Sequence, residues 1–82
     1  MKYEIELKPT SLKDCKKIPK HQLKRIFKQI ENMSNDLKGD VKRLTNFTPE
    51  YRLRVGDYRI LFETEKSKII IYRIRHRKDV YK

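Results

Sequence analysis

The chain is short and strongly basic, and both properties narrow its fold and function. Its 82 residues with 37% hydrophobic content allow one small domain, residues 1–82, and are too few for a second core. The net charge of +11 and the pI near 10.0 favour a polyanionic partner, with nucleic acid ahead of an anionic membrane or an acidic protein.

Several classes of protein are excluded by the same composition. A single cysteine, Cys15, excludes an intrachain disulfide, and its simplest role is to fill the core. No set of Cys and His residues has the spacing of a metal site, and no apolar run approaches the roughly 18 residues of a membrane span. We therefore expect a cytoplasmic protein with no metal, no other cofactor and no membrane partner.

The N-terminal half predicts one strand followed by two helices. Residues 3–7 alternate polar and apolar side chains, as strands do, and Pro9 suits the first turn of a helix that ends before Pro19. The inner edge of this helix is predicted to hold Leu12, Cys15 and Ile18. After Pro19 the apolar residues recur at the spacing of an amphipathic helix. Its inner stripe is Leu23, Ile26, Phe27, Ile30 and Met33, and its outer residues include Lys24, Lys28 and Glu31.

The C-terminal half predicts strands. A loop over residues 35–39 ends the second helix, and residues 41–44 form a short strand. Gly56-Asp57 marks a two-residue hairpin turn, because glycine supplies the positive φ that such turns require. The last strand spans residues 69–75. The order β-α-α-β-β-β-β is typical of an α+β domain in which two helices, both in the N-terminal half, pack on a mainly antiparallel, twisted β-sheet.

The predicted hairpin gathers arginines on one face of that sheet. The turn pairs Val55 with Tyr58 and Arg54 with Arg59. Because side chains alternate along a strand, the apolar residues of the hairpin share the face that meets the helices. The other face carries Arg52, Arg54 and Arg59. Like charges directly opposite each other destabilise a sheet, so we expect an anion, phosphate foremost, to bind this cationic face.

The last strand can direct its arginines to either face, and the cost of burial decides between them. A two-residue turn around residues 66–67 would place Arg73 beside Ile60 in the core, and an unpaired buried charge is very costly. We therefore predict an odd loop or a β-bulge at this turn, which sets Arg73 across from Arg59 and Arg75 near Asp57.

That register leaves apolar residues on the outer, cationic face. Three of them would be poorly covered by the domain itself: Leu61, Ile69 and Ile71. We expect either a partner segment or a tail or loop of the chain to cover them.

The cationic face suits cleavage of RNA by its own 2′-hydroxyl. That reaction needs a proton acceptor, cationic donors for the charge that develops on the phosphate, and a proton donor for the leaving oxygen. Arginines supply the second requirement but scarcely deprotonate. The candidates for proton transfer are His76 and Tyr81. Alternatively, His76 is structural, and Tyr81 stacks on a base or anchors the C-terminus.

Two motifs resemble a known family. Tyr51-Arg52-Leu53-Arg54-Val55-Gly56-Asp57-Tyr58-Arg59, followed by His76-Arg77-Lys78-Asp79-Val80-Tyr81, resembles the RelE branch of the RelE/ParE toxin superfamily. The resemblance implies a toxin of a type II toxin–antitoxin system, a metal-independent endoribonuclease that cuts messenger RNA in the ribosomal A site and inhibits translation. It also implies a cognate antitoxin that wraps the toxin, and operator DNA contacted only through the toxin–antitoxin complex.

The resemblance also implies roles for individual residues. Arg59 and Arg75 resemble family arginines that stabilise the scissile phosphate, with Arg75 also a proton donor to the leaving group. Tyr81 resembles a tyrosine that stacks on the message or helps to activate it. Arg52 and Arg54 stand where the best-known members have lysines, one of them a candidate general base. Because arginine cannot usefully act as a base, we assign phosphate binding to these two arginines and the base role to His76 or Tyr81.

Further contacts are expected around this site. Additional RNA contacts are predicted for Lys42, Arg43, Arg73, Arg77 and Lys78, and antitoxin contacts for Leu61, Ile69 and Ile71. Asp40, just before the second strand, resembles in location a carboxylate that some relatives use.

Two other functions fit the same sequence. A ParE-like inhibitor of DNA gyrase has the same scaffold without nuclease chemistry, and a non-catalytic RNA-binding or ribosome-binding protein needs only the charge. The arginines together with His76 and Tyr81 favour the nuclease, because a gyrase inhibitor does not require a phosphate site.

Overall fold

The computed structural model describes residues 2–79, in which two helices and five strands follow in the predicted order. The elements are β1 Glu4–Leu7, α1 Pro9–Cys15, α2 Lys20–Met33, β2 Val41–Arg43, β3 Tyr51–Val55, β4 Tyr58–Glu65 and β5 Lys68–His76. The strands form one sheet in the order β1-β5-β4-β3-β2. β1 runs parallel to β5 and the other neighbours are antiparallel, so the predicted α+β class and mainly antiparallel sheet are confirmed.

The two helices begin at or beside prolines, as predicted. Pro9 stands in the first turn of α1 and Pro19 immediately precedes α2, positions where proline's missing N–H costs no helical hydrogen bond. In α1 the buried residue is Ser11, whereas Leu12 is 50% exposed, so the predicted inner edge is wrong at Leu12. Side-chain hydrogen bonds from α1 to β5, described below, fix the helix in this rotation.

The hydrophobic core lies between α2 and one face of the sheet, here called the helix side. Its buried members are Ile18, Ile26, Ile30, Met33, Leu53, Val55, Ile60, Phe62, Ile69, Ile71 and Ile74. Tyr51 stacks on Phe62 with ring centroids 5.4 Å apart. Cys15 packs against this cluster as a partly buried residue, as predicted. The predicted apolar face of the hairpin is therefore confirmed, and the opposite face of the sheet is called the outer face.

A β-bulge in β5 keeps its arginines out of the core. The turn at residues 66–67 is short, since Glu65 pairs with Lys68, yet the register shifts between Leu61 and Phe62. Leu61 pairs with Arg73 and Phe62 pairs with Ile71, which makes Tyr72 the extra residue of the bulge. The prediction of a bulge and the place of Arg73 on the outer face are confirmed, but the predicted position of the irregularity is wrong, because the turn has two residues and the bulge lies at Tyr72.

The position of the bulge corrects the predicted register of β5. Arg73 pairs with Leu61, and Arg75 takes the predicted place of Arg73 across from Arg59. Arg77, rather than Arg75, lies beside Asp57, to whose carbonyl its amide donates a hydrogen bond of 2.7 Å.

The same shift overturns the expectation for two isoleucines. Ile69 and Ile71 are fully buried on the helix side. They precede the extra residue Tyr72, so their side chains point to the opposite face from that of Arg73. The predicted antitoxin contacts at Ile69 and Ile71 are wrong for this reason. Leu61 does lie on the outer face, but it is only 3% exposed.

Candidate functional site

Three strands place arginines side by side on the outer face. Arg54 of β3 pairs with Arg59 of β4, and Arg59 pairs with Arg75 of β5. We call these three residues the arginine row. Directly paired residues have Cβ atoms about 5 Å apart, so the row spans about 10 Å across the sheet. The predicted extension of the cationic face to a third strand is confirmed, although with Arg75 rather than Arg73 in line.

A second row of paired side chains runs parallel to the arginine row, and acidic residues of the domain neutralise part of its positive charge. Its members are Lys42, Arg52, Leu61 and Arg73. Arg52 Nη1 lies 3.4 Å from Asp40 Oδ1, and only 14% of the Arg52 side chain is exposed. Arg73 donates to both carboxylate oxygens of Asp14, from Nε at 2.9 Å and from Nη2 at 3.0 Å. These hydrogen bonds raise the pKa of Arg73 and keep its guanidinium charged.

Two members of the arginine row, Arg54 and Arg75, are less compensated. Within residues 2–79, neither Arg54 nor Arg75 forms an ion pair. Arg59 Nη1 donates to the carbonyl of Gly56 at 2.8 Å and to that of Tyr58 at 3.1 Å, which holds the guanidinium beside the hairpin turn. A phosphate group over the row would accept hydrogen bonds from several guanidinium groups and offset their mutual repulsion.

Beyond the bulge, the outer face carries carboxylates in place of the arginines. Ile70 pairs there with Glu6 on one side and Glu63 on the other, and Glu65 pairs with Lys68. Carboxylates repel a phosphate backbone, so the attractive surface for an anion is the half of the sheet that carries the arginine row.

His76 lies at the end of β5 on the helix side. It pairs with Tyr58, with the rings edge to face and their centroids 5.6 Å apart. Its Nδ1 accepts a hydrogen bond from the Lys78 amide at 3.3 Å. A cavity of about 220 Å³ at this corner is lined by His76, Tyr58 and Arg75, among others. The structure thus brings His76 close to the arginine row through Arg75, but from the other side of the sheet.

The remaining predicted site residues are distributed around the edges of the sheet. Lys42 is exposed on the outer face, whereas Arg43 has the opposite parity and lies 3.5 Å from Glu50. Arg77 and Lys78 follow β5 and are exposed. Tyr81 lies outside the described residues.

Sequence reasoning missed Asp14 as the partner of Arg73, from which it is separated by 59 positions. The pattern of α1 contains no signal that this helix lies along β5. Asp40 was singled out because its location resembles that of a carboxylate in some relatives, and the structure places it in an ion pair with Arg52. Among residues 2–79, no group of three or more His, Cys, Asp or Glu side chains is arranged to hold a metal ion. No helix in this part of the chain is long and apolar enough to cross a membrane.

Known proteins resemble the chain in both sequence and fold. A family model for the ParE toxin of the type II toxin–antitoxin system parDE matches residues 5–81. Toxin RelE3 of Methanocaldococcus jannaschii is 44% identical over 77 residues, which cover 88% of each chain. A chain of the RelB-RelE antitoxin–toxin complex from Methanococcus jannaschii matches with a TM-score of 0.77 and 39% identity, covering 93% of this chain and 94% of that one.

A more distant structure shares the fold. A chain of the archaeal RelE-RelB complex from Pyrococcus horikoshii OT3 matches with a TM-score of 0.77 at 23% identity, over 98% of this chain and 100% of that one. Because the family model spans nearly the whole chain and RelE3 shares well over a third of its residues, this chain belongs to the RelE/ParE superfamily and is a RelE-like toxin of a type II toxin–antitoxin system.

Proposed function

We propose that this toxin is a ribosome-dependent mRNA interferase, a metal-independent endoribonuclease that cuts messenger RNA in the ribosomal A site and so inhibits translation. The observation that carries the proposal is the arginine row, in which Arg54, Arg59 and Arg75 lie side by side on an open sheet face. The identity to RelE3, at 44%, supports the RelE branch over the ParE branch of the superfamily.

The proposed reaction is an attack within the RNA strand. A 2′-hydroxyl loses its proton to a base and its oxygen bonds to the adjacent phosphorus. The bond from phosphorus to the 5′-oxygen breaks, and that oxygen takes up a proton. The products carry a 2′,3′-cyclic phosphate and a 5′-hydroxyl. The arginine row donates hydrogen bonds to the non-bridging oxygens as their charge increases, which lowers the barrier electrostatically. Arg59 is held by the Gly56 carbonyl and is therefore preorganised.

His76 and Tyr81 are the proposed groups for proton transfer. An imidazole ring can both donate and accept a proton, which suits a general acid or base. Because His76 Nδ1 accepts the hydrogen bond from the Lys78 amide, the neutral ring carries its proton on Nε2 and is a hydrogen-bond donor there. To act as a base, His76 must first give up the bond from Lys78. In the variant His76→Gln we expect cleavage to be lost while ribosome binding is unchanged. Full activity of that variant would show that His76 does not transfer the proton and would leave Tyr81 as the proposed group.

A cognate antitoxin is the proposed inhibitor and operator DNA the proposed target of the toxin–antitoxin complex. The support for the antitoxin is that a relative with 39% identity was solved as a RelB-RelE antitoxin–toxin complex, whereas operator DNA is implied by the family resemblance alone. Co-expression of a cognate RelB-type antitoxin should restore growth to cells that produce this toxin.

The decisive experiment is translation of a defined message on purified ribosomes, with primer extension to map the cut ends. We expect cuts at the A-site codon, none on the naked message, and none when the attacking 2′-hydroxyl is replaced by hydrogen. The double variant Arg59→Gln and Arg75→Gln should not cut. The matched control, Lys24→Gln and Lys28→Gln, removes the same charge from the exposed side of α2 and should cut normally.

The two alternatives predict other outcomes of the same experiment. Inhibition of gyrase supercoiling without any RNA cut would assign the chain to the ParE mode of action. Arrest of translation without cuts, and without sensitivity to Arg59→Gln, would identify a binding protein that lacks catalysis.

A further inference from the structure

We propose that Thr10 and Asp14 are positioning residues. Their side chains on α1 take the place of a missing neighbour strand along β5 and thereby hold Arg75 in the arginine row. The consequence for activity rests on the proposed function, whereas the consequence for the strand can be measured in the free protein.

β5 loses its parallel neighbour partway along its length. The last β1 residue in the ladder, Leu7, pairs with Ile71, and the Lys8 amide donates the final bond to the Ile71 carbonyl at 2.9 Å. Residues 72–76 then have β4 on one side, and no strand among residues 2–79 flanks them on the other. This stretch contains the bulge at Tyr72 and Arg75 itself. Backbone groups on such an edge need other partners if the strand is to stay in place.

Side chains of α1 supply those partners. Thr10 Oγ1 donates to the Tyr72 carbonyl at 2.8 Å, and Asp14 Oδ2 accepts from the Ile74 amide at 2.9 Å. One carbonyl and one amide are thus satisfied, as they would be by a paired strand. The spacing explains the fit: residues four apart on a helix are separated by about 6 Å along its axis, and residues two apart on a strand by about 6.6 Å.

Asp14 fixes more than the backbone. The carboxylate that accepts from the Ile74 amide also accepts from Nε and Nη2 of Arg73, and only 12% of its side chain is exposed. Hydrogen bonds between charged partners are stronger than neutral ones, and partial burial reduces their screening. Asp14 therefore holds the side chain of Arg73 and the backbone amide of Ile74, the two residues that immediately precede Arg75.

Amide hydrogen exchange tests this holding directly. In Asp14→Ala we expect the Ile74 amide to exchange at least about tenfold faster, because it loses its own hydrogen bond to the carboxylate and Arg73 loses the two bonds that anchor it beside Ile74, while amides in the middle of α2 are unchanged. Thr10→Val should also speed exchange of the Ile74 amide. Thr10→Ser keeps the hydroxyl, so its exchange rates should resemble those of the wild type. Glu31→Ala, an exposed carboxylate of α2, is the matched control for charge.

Cleavage on the ribosome tests the positioning of Arg75. Single-turnover cleavage by Asp14→Ala and Thr10→Val should be about tenfold slower with ribosome affinity unchanged, and Thr10→Ser should cut normally. Unchanged exchange of Ile74 in both loosened variants would overturn the inference, and so would faster exchange with normal cleavage.

A failure of the proposed function gives a distinct result, because the wild type itself then does not cut. In that case the Arg75 Nε–H resonance is titrated with inorganic phosphate in the free protein. A shift in the wild type that is lost in Thr10→Val supports the positioning role, and equal shifts in both proteins contradict it.

Discussion

Replacing Arg54 with glutamine should make the free toxin more stable and its binding to RNA weaker. Arg54 is exposed and lies directly opposite Arg59. The Cβ atoms of the pair lie about 5 Å apart, and unit charges at that separation would repel by about 0.8 kcal/mol at the dielectric constant of water, which is an upper bound for the longer arginine side chains and is reduced further by physiological salt. We expect the free energy of unfolding of Arg54→Gln to rise by about 0.5 kcal/mol at low salt and to be almost unchanged near 1 M salt.

The cost to binding is larger than the gain in stability. A hydrogen bond between a guanidinium and a phosphate contributes about 1.5–3 kcal/mol, so affinity should fall by about 10-fold to 150-fold. The slope of log affinity against log salt should also decrease by about 0.7 for one lost contact with a single strand.

Urea unfolding at low and high salt measures the first effect, and titration with a non-cleavable 2′-deoxy oligonucleotide measures the second. Lys28→Gln is the control, because it removes one exposed positive charge from α2. A less stable Arg54→Gln protein at low salt, or an equal loss of RNA affinity in Lys28→Gln, would refute the reasoning about the arginine row.

Three further predictions concern the turn, the core and the thiol. Gly56→Ala should cost about 1–2 kcal/mol in urea unfolding, because Gly56 has a φ of 57° and an added Cβ would meet Arg25 Nη1 at 3.0 Å; an unchanged midpoint would contradict this. Ile71→Ala should cost about 2–5 kcal/mol and Leu12→Ala less than about 0.5, because the first is buried and the second exposed; equal costs would mean that the assigned parity of β5 is wrong. Burial, with a smaller contribution from a neighbouring carboxylate, raises the pKa of Cys15 above its ordinary value of 9.0. Alkylation of Cys15 by iodoacetamide at pH 9.0 should therefore be slower in the folded protein than in urea, and equal rates would show that the thiol is not protected.

The elements of the fold could be predicted because local chemistry determines them. Proline fixed the starts of both helices, the apolar stripe of α2 identified its buried side, and Gly56-Asp57 fixed the register of the first hairpin. The cost of burying Arg73 was enough to predict a bulge. In each case, the deciding interaction lies within one element or between neighbours in sequence.

The position of the bulge and the place of α1 could not be predicted in this way. Moving the extra residue from the turn to Tyr72 reverses the faces of Ile69 and Ile71 while leaving Arg73 outside, and the pattern of alternation allows both arrangements. Similarly, the pairing of Asp14 with Arg73 depends on contacts between elements that are distant in sequence. The candidate site was therefore predicted as a set of arginines, but the carboxylate that helps to hold them was not.

The measurement that tests the central claim most directly is single-turnover cleavage of a message in the ribosomal A site by the wild type and by the variant Arg59→Gln, Arg75→Gln. We predict cuts with 5′-hydroxyl ends for the wild type and none for the variant, although both proteins bind the ribosome. Equal cleavage by the two proteins would contradict the assignment of the arginine row as the site of phosphate chemistry.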